Sequence, residues 1–141
     1  MNSLDTNTLV YAVSPAEVGR ETRRDELIRR ATEAGWPIAA QVHGELFAVM
    51  TRRQLMTRKA AKEAVQTFCA VMPTLGSSVA AHAAALKLAA DKQLQYWDAL
   101  IIAVCAEHGV KQLFTEDLPS APRLLDVKCV SPVRRGLSML A

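Results

Sequence analysis

YWDALIIAVCAEHGVKQLF (96–114) holds a helix, its stop signal and a strand in one unbroken run. Tyr96 to His108 reads as a helix, because apolar residues fill nearly every position after Asp98 and Gly109 supplies a standard C-terminal stop. Val110 to Phe114 then reads as a strand. A helix apolar on most sides must be buried, so a carboxylate near its start is expensive unless a cation or a donor faces it. Helix followed directly by strand, inside a buried core, points to an α/β fold with crossover connections and a largely parallel sheet.

The same alternation continues outward in both directions. Residues 2–5 read as a first strand, and Leu9, Val10 and Tyr11 as a turn or short helix after it. Glu17 to Ala34 is helical, with Leu27, Ile28 and Ala31 at three-to-four spacing and Gly35 as the stop. Pro37 to Ala40 is a second short apolar strand. Helices follow over Val42–Arg53, from the N-cap candidate Thr57 to Val71, and over Ser78–Ala90, with no strand expected between the two that span 57–90. Val127–Val130 is the last strand. Val65, Phe68, Leu86 and Leu88 read mostly as core, with interface surface as the other reading. Leu4, Val10, Leu46 and Ile101 are further core candidates. No repeat, linker or low-complexity segment divides residues 1–141, which predicts a single domain.

Composition narrows the function. Hydrophobic residues at 50% and charged ones at 22% are the balance of a folded globular chain. Apolar runs fall short of the ~20 residues of a membrane span, and Asp5 interrupts any signal-like start, so a cytoplasmic protein is expected. Cys69, Cys105 and Cys129 form no metal or disulfide pattern and are expected as buried thiols. His43, His82 and His108 lack ligand spacing such as H-E-x-x-H. Neither a nucleotide-binding glycine loop nor a nucleophile elbow is present. Aromatics at 5% are too sparse for a base-stacking platform. Net charge is +3, concentrated in RETRRDELIRR (20–30), TRRQLMTRK (51–59) and Arg134–Arg135. Such runs suit solvated helix faces, and three of them also suit a polyanionic partner.

Carboxylates are where the sequence becomes specific. In a parallel sheet, ligands gather at the C-terminal edge of the strands. Asp5 ends the first strand, Glu45 lies early in the helix after the second, Asp98 starts the buried helix, and Asp117 follows the strand ending at Phe114. Each has a plain structural reading, as turn cap, helix-start acid or Asx turn. Four of them on one edge would repel strongly, and a hard divalent cation such as Mg²⁺, which takes oxygen ligands and keeps some waters, relieves that repulsion.

LDTNTLVYA (4–12), the Glu45 of HGELFAVM (43–50), YWDALIIAVCAEHG (96–109) and LFTEDL (113–118) resemble the four signature blocks of PIN-domain nucleases, in order and at their usual spacing. The closest resemblance is to VapC-like toxins of bacterial toxin–antitoxin pairs. This implies a three-layer α/β/α sandwich with a mainly parallel sheet of about four or five strands. It also implies an Mg²⁺- or Mn²⁺-dependent endoribonuclease. Asp5, Glu45, Asp98 and Asp117 fall on the acidic quartet as catalytic residues and metal ligands, with Asp5 and Asp98 direct. Asn7 and Thr115 fall on supporting polar positions, and Glu116 could assist Asp117. Arg20, Arg23, Arg24, Arg52 and Arg53 are candidate phosphate contacts. The resemblance further implies an RNA substrate, a homodimer and a cognate antitoxin, with no membrane. The chain departs from the family after Leu118, where the common glycine is missing and the tail reads VSPVRRG. The alternative is a catalytically silent PIN-like module binding RNA or protein. A metal-dependent phosphohydrolase lacks its D-x-D, because position 7 is Asn.

Overall fold

The computed structural model describes residues 1–13, 22–116 and 123–132. Its elements are β1 (Asn2–Leu4), α1 (Thr6–Val13), α2 (Thr22–Ala34), β2 (Ile38–Ala39), α3 (Ala40–Arg52) and α4 (Arg58–Val71), then β3 (Thr74–Leu75), α5 (Val79–Lys92), α6 (Tyr96–Glu107), β4 (Gln112–Phe114), β5 (Arg123–Leu124) and β6 (Val127–Val130). The main sheet has the order β1-β4-β6-β5, with β1, β4 and β6 parallel and only β5 antiparallel. A second, two-stranded parallel sheet pairs β2 with β3. Ser3 Oγ donates to Pro37 O over 2.6 Å and ties β1 to the entry of β2. Helix α6 lies against β2 and β6 with α5 packed on it, while α1 to α4 form the second helical group of an α/β/α sandwich.

Helix ends follow from local chemistry. Thr57 caps α4 by accepting from Ala60 N, and Ser78 caps α5 by accepting from Ala81 N. Gly109, at φ +78°, closes α6: its N–H bonds Ala106 O while Val110 N bonds Cys105 O, the paired Schellman arrangement that positive φ permits. Residues Ala99 to Cys105 of α6 are all buried, as a helix apolar on every side requires. Trp36 stacks on Phe114 with ring centroids 5.8 Å apart and joins the start of β2 to the end of β4.

Several expectations change. Thr74–Leu75 is a strand between the two middle helices: Ile38 N donates to Pro73 O over 2.7 Å and brings that connection beside β2. Two residues are too short for any periodicity to mark. Arg123–Leu124 forms a hairpin with β6 through Leu125 and Asp126, both at positive φ, so one edge strand runs antiparallel. Cys69 is exposed rather than buried, whereas Cys105 and Cys129 are buried. Leu86 is 62% exposed, while Leu88 is core. Leu4, Val10, Leu46 and Ile101 are all buried. The helix expected from Glu17 is described from Thr22 onward.

Candidate active site

Strand register places the first acid. Leu4 pairs with Phe114 in parallel, so the next residues, Asp5 and Thr115, emerge side by side at the C-terminal edge. Asp5 N donates to Phe114 O (3.1 Å) and Thr115 N to Val130 O (2.8 Å), so both backbones are fixed by continued ladder bonds. Asp5 is 4% exposed, and its Oδ1 accepts from Thr8 N and Thr8 Oγ1, each at 3.2 Å. The expected cap is therefore real: Asp5 starts α1 while standing at the strand end.

A cavity of about 260 Å³ opens at that edge. Asp5 and Thr115 line it from the strand ends, Asn7 from the first turn of α1, Glu45 from α3 and Asp98 from α6. The expected quartet is thereby represented by three acids from three separate segments; Asp117 lies outside the described residues. Ala48, Val49 and Arg52 continue the Glu45 face of α3 at helical spacing, and Gln95 and Ile101 flank Asp98 on α6. Val49, Ile101 and Leu113 give the cavity an apolar floor on which the carboxylates are concentrated.

Glu45 is positioned by side chains that motif reading missed. Thr6 Oγ1 donates to its Oε1 over 2.7 Å. Gln41 Nε2 reaches its Oε2 at 3.4 Å and also donates to Trp97 O at 3.0 Å, which links the starts of α3 and α6. The signal was present in retrospect: Gln41 precedes Glu45 by one helical turn, and Thr6 directly follows Asp5. Donors that orient a carboxylate in this way leave its remaining lone pairs for a cation.

The other candidates separate. Glu116 does not line the cavity; its carboxylate pairs with the Arg24 guanidinium, which also lies over the Tyr11 ring at 5.4 Å. That engages both Glu116 and Arg24 within the fold rather than at the cavity. Arg23 is exposed at the start of α2, Arg52 and Arg53 are exposed at the end of α3, and Arg20 lies outside the described residues. His43, two residues before Glu45, is buried among core side chains, and neither ring nitrogen has a hydrogen-bond partner among the described residues. Burial pushes its pKa below the usual histidine value, which keeps the ring neutral. Burial likewise pushes the Cys105 thiol up to about 12 and that of Cys129 up to about 11.

The donor set favours a hard cation: among the described residues, the polar groups lining the cavity include carboxylates, hydroxyls and amides, with no thiol or imidazole. Among the described residues no three of His, Cys, Asp and Glu come together as a ready metal cluster.

The sequence profile of the PIN domain matches residues 3–118, which hold Asp5, Glu45, Asp98 and Asp117. The chain belongs to the PIN-domain family. Its fold is also that of several solved structures. VapBC2 from Rickettsia felis, bound to a DNA fragment from its promoter, matches with TM-score 0.70 and 14% identity, over 92% of this chain and 97% of that one. A toxin–antitoxin complex from Klebsiella pneumoniae matches with TM-score 0.65 and 20% identity, over 94% and 98%. VapC20 of Mycobacterium tuberculosis, a sarcin-ricin loop cleaving toxin, matches with TM-score 0.63 and 18% identity, over 91% and 99%. No protein of curated function matches the sequence.

Proposed function

We propose that this chain is a metal-dependent endoribonuclease and the toxin of a toxin–antitoxin pair. The observation that carries the proposal is the convergence of Asp5, Glu45 and Asp98, from three separate segments, on one cavity at the carboxyl edge of a parallel sheet. Membership of the PIN-domain family and folds shared with toxin structures support it.

Asp5 and Asp98 would hold Mg²⁺ or Mn²⁺ directly, with Glu45 and Asp117 binding it directly or through water. When bound, the ion lowers the pKa of water and offsets charge on the phosphate. The protein's own groups do the rest. Thr6 and Gln41 hold the Glu45 carboxylate in one orientation. The ladder bonds of Asp5 and Thr115 fix the strand ends from which these two side chains reach the cavity. Val49, Ile101 and Leu113 exclude bulk water from one wall, which strengthens every electrostatic contact inside. Arg52, at the cavity rim, supplies a phosphate contact that positions the strand without reading its sequence. In-line displacement at phosphorus would leave a 5′-phosphate and a 3′-hydroxyl.

Structural neighbours solved as toxin–antitoxin complexes support a cognate antitoxin as partner, and a homodimer is part of the same reading. The test is sequencing of RNA ends after brief expression of the parent and of Asp5→Asn. The proposal expects new 5′-phosphate ends only with the parent. Identical end profiles from the two would refute it and favour the silent binding module.

A further inference from the structure

The cations of this chain are unevenly compensated. Arg24, Arg29, Arg30, Lys87, Lys111 and Arg123 each face a carboxylate. Arg52 and Arg58 are exposed and face none among the described residues. Both line a groove of about 560 Å³ where α3 turns into α4. Phe47 and Met56 give it apolar walls, and no carboxylate lines it among the described residues. Thr51 Oγ1 donates to Phe47 O at 3.0 Å, whereas Thr57 Oγ1 accepts from Ala60 N at 3.1 Å and keeps its O–H to give. The two guanidinium groups and the Thr57 hydroxyl are the groove's hydrogen-bond donors.

This groove continues the acidic cavity, because Ala48 and Arg52 line both. The turn that shapes it is fixed. Gln54 takes the left-handed conformation at φ 57°, its N–H bonds Thr51 O (3.1 Å), and Leu55 N bonds Met50 O (2.9 Å). Charge is therefore segregated along this side of the molecule, with the Glu45 carboxylate on α3, the Arg52 cation about two turns later and the Arg58 cation at the start of α4. A polyanionic strand running along that side passes from the carboxylate to the arginines. The groove's volume is in the range that takes a small organic ligand.

We propose that this groove is a nucleotide subsite for single-stranded RNA, with a base lying against Phe47 and Met56 and its phosphate between Arg52 and Arg58. The subsite rests on the ribonuclease reading and specifies where the strand runs beyond the acidic cavity. An apolar wall beside paired cations suits a planar base on a charged backbone.

The test is fluorescence anisotropy of an end-labelled ten-nucleotide oligouridylate against the full chain in EDTA, which separates binding from cleavage. Arg58→Glu is expected to weaken binding roughly tenfold and to reduce the slope of log K against log salt by about 0.7, the share of one single-strand phosphate contact. Arg58→Lys should keep most of the affinity, and Lys87→Ala, at a paired surface cation, should match the parent. Met56→Ala should weaken binding to oligouridylate more than to an abasic oligomer of equal length. Circular dichroism confirms that each variant is folded. Parent affinity and parent salt slope in Arg58→Glu would overturn the subsite, including in favour of a protein partner for the groove. If the parent also cleaves RNA in Mg²⁺, only the subsite falls. If the parent neither binds nor cleaves RNA, the ribonuclease reading fails first.

Discussion

Asp5 Oδ1 accepts from both the amide and the hydroxyl of Thr8, so asparagine at position 5 can keep that acceptor while losing the carboxylate charge. Asn and Asp are equivalent helix caps. Asp5→Asn should therefore melt within a few degrees of the parent, yet lose the stabilisation that millimolar Mg²⁺ or Mn²⁺ gives it. Thermal melts with and without metal check this; a parent whose Tm ignores both ions contradicts the metal assignment. His43 makes the opposite case, a polar group without a partner in the described core. Its folded pKa is depressed, so the neutral ring contributes stability that is present above the unfolded pKa of about 6.5 and is lost as pH falls through that value. His43→Leu removes both the unsatisfied nitrogens and the titration. Its Tm advantage over the parent should be larger at pH 5 than at pH 8; an equal difference at the two pH values contradicts this.

At the scale of elements, Gly109 at φ +78° has open space where a Cβ would sit, so Gly109→Ala isolates backbone strain from steric clash. The left-handed conformation costs an L-residue about 1–2 kcal/mol, and on the order of 1 kcal/mol lowers Tm by a few degrees in a chain of this size. Calorimetry should show that drop with cleavage unchanged. Gly109 also shows what was legible. Helix stops, caps at Thr57 and Ser78, and the buried α6 were readable because each rests on local chemistry: a glycine, a hydroxyl, an unbroken apolar run. β3 and β5 were not, because each is two residues long and is set by its partner strand. The Leu125–Asp126 turn was hidden for another reason: leucine at positive φ gives no sequence signal. In the site, Asp5, Glu45 and Asp98 were legible through position relative to strand ends. Thr6 and Gln41 escaped notice because orienting a neighbour leaves no motif.

At the scale of the whole molecule, separated segments meet because the parallel strands β1, β4 and β6 bring their C-terminal ends to one edge. β1 brings Asp5 there, β4 brings Thr115, and α3 after β2 and the start of α6 before β4 bring Glu45 and Asp98 to the same opening. The proposed complement of these acids is a divalent cation, which would offset their negative charge. Among the described residues, no helix is long and apolar enough to cross a membrane. The central claim is that this opening cuts RNA with a divalent metal. Its most direct measurement is the cleavage rate of a single-stranded RNA by the parent and by Asp98→Asn, each in EDTA and in Mg²⁺. The account predicts cleavage by the parent in Mg²⁺ alone, and a loss on the order of a hundredfold or more in the folded variant, beyond what removing a mere supporting residue causes. Equal rates for parent and variant, or undiminished cleavage in EDTA, would contradict it.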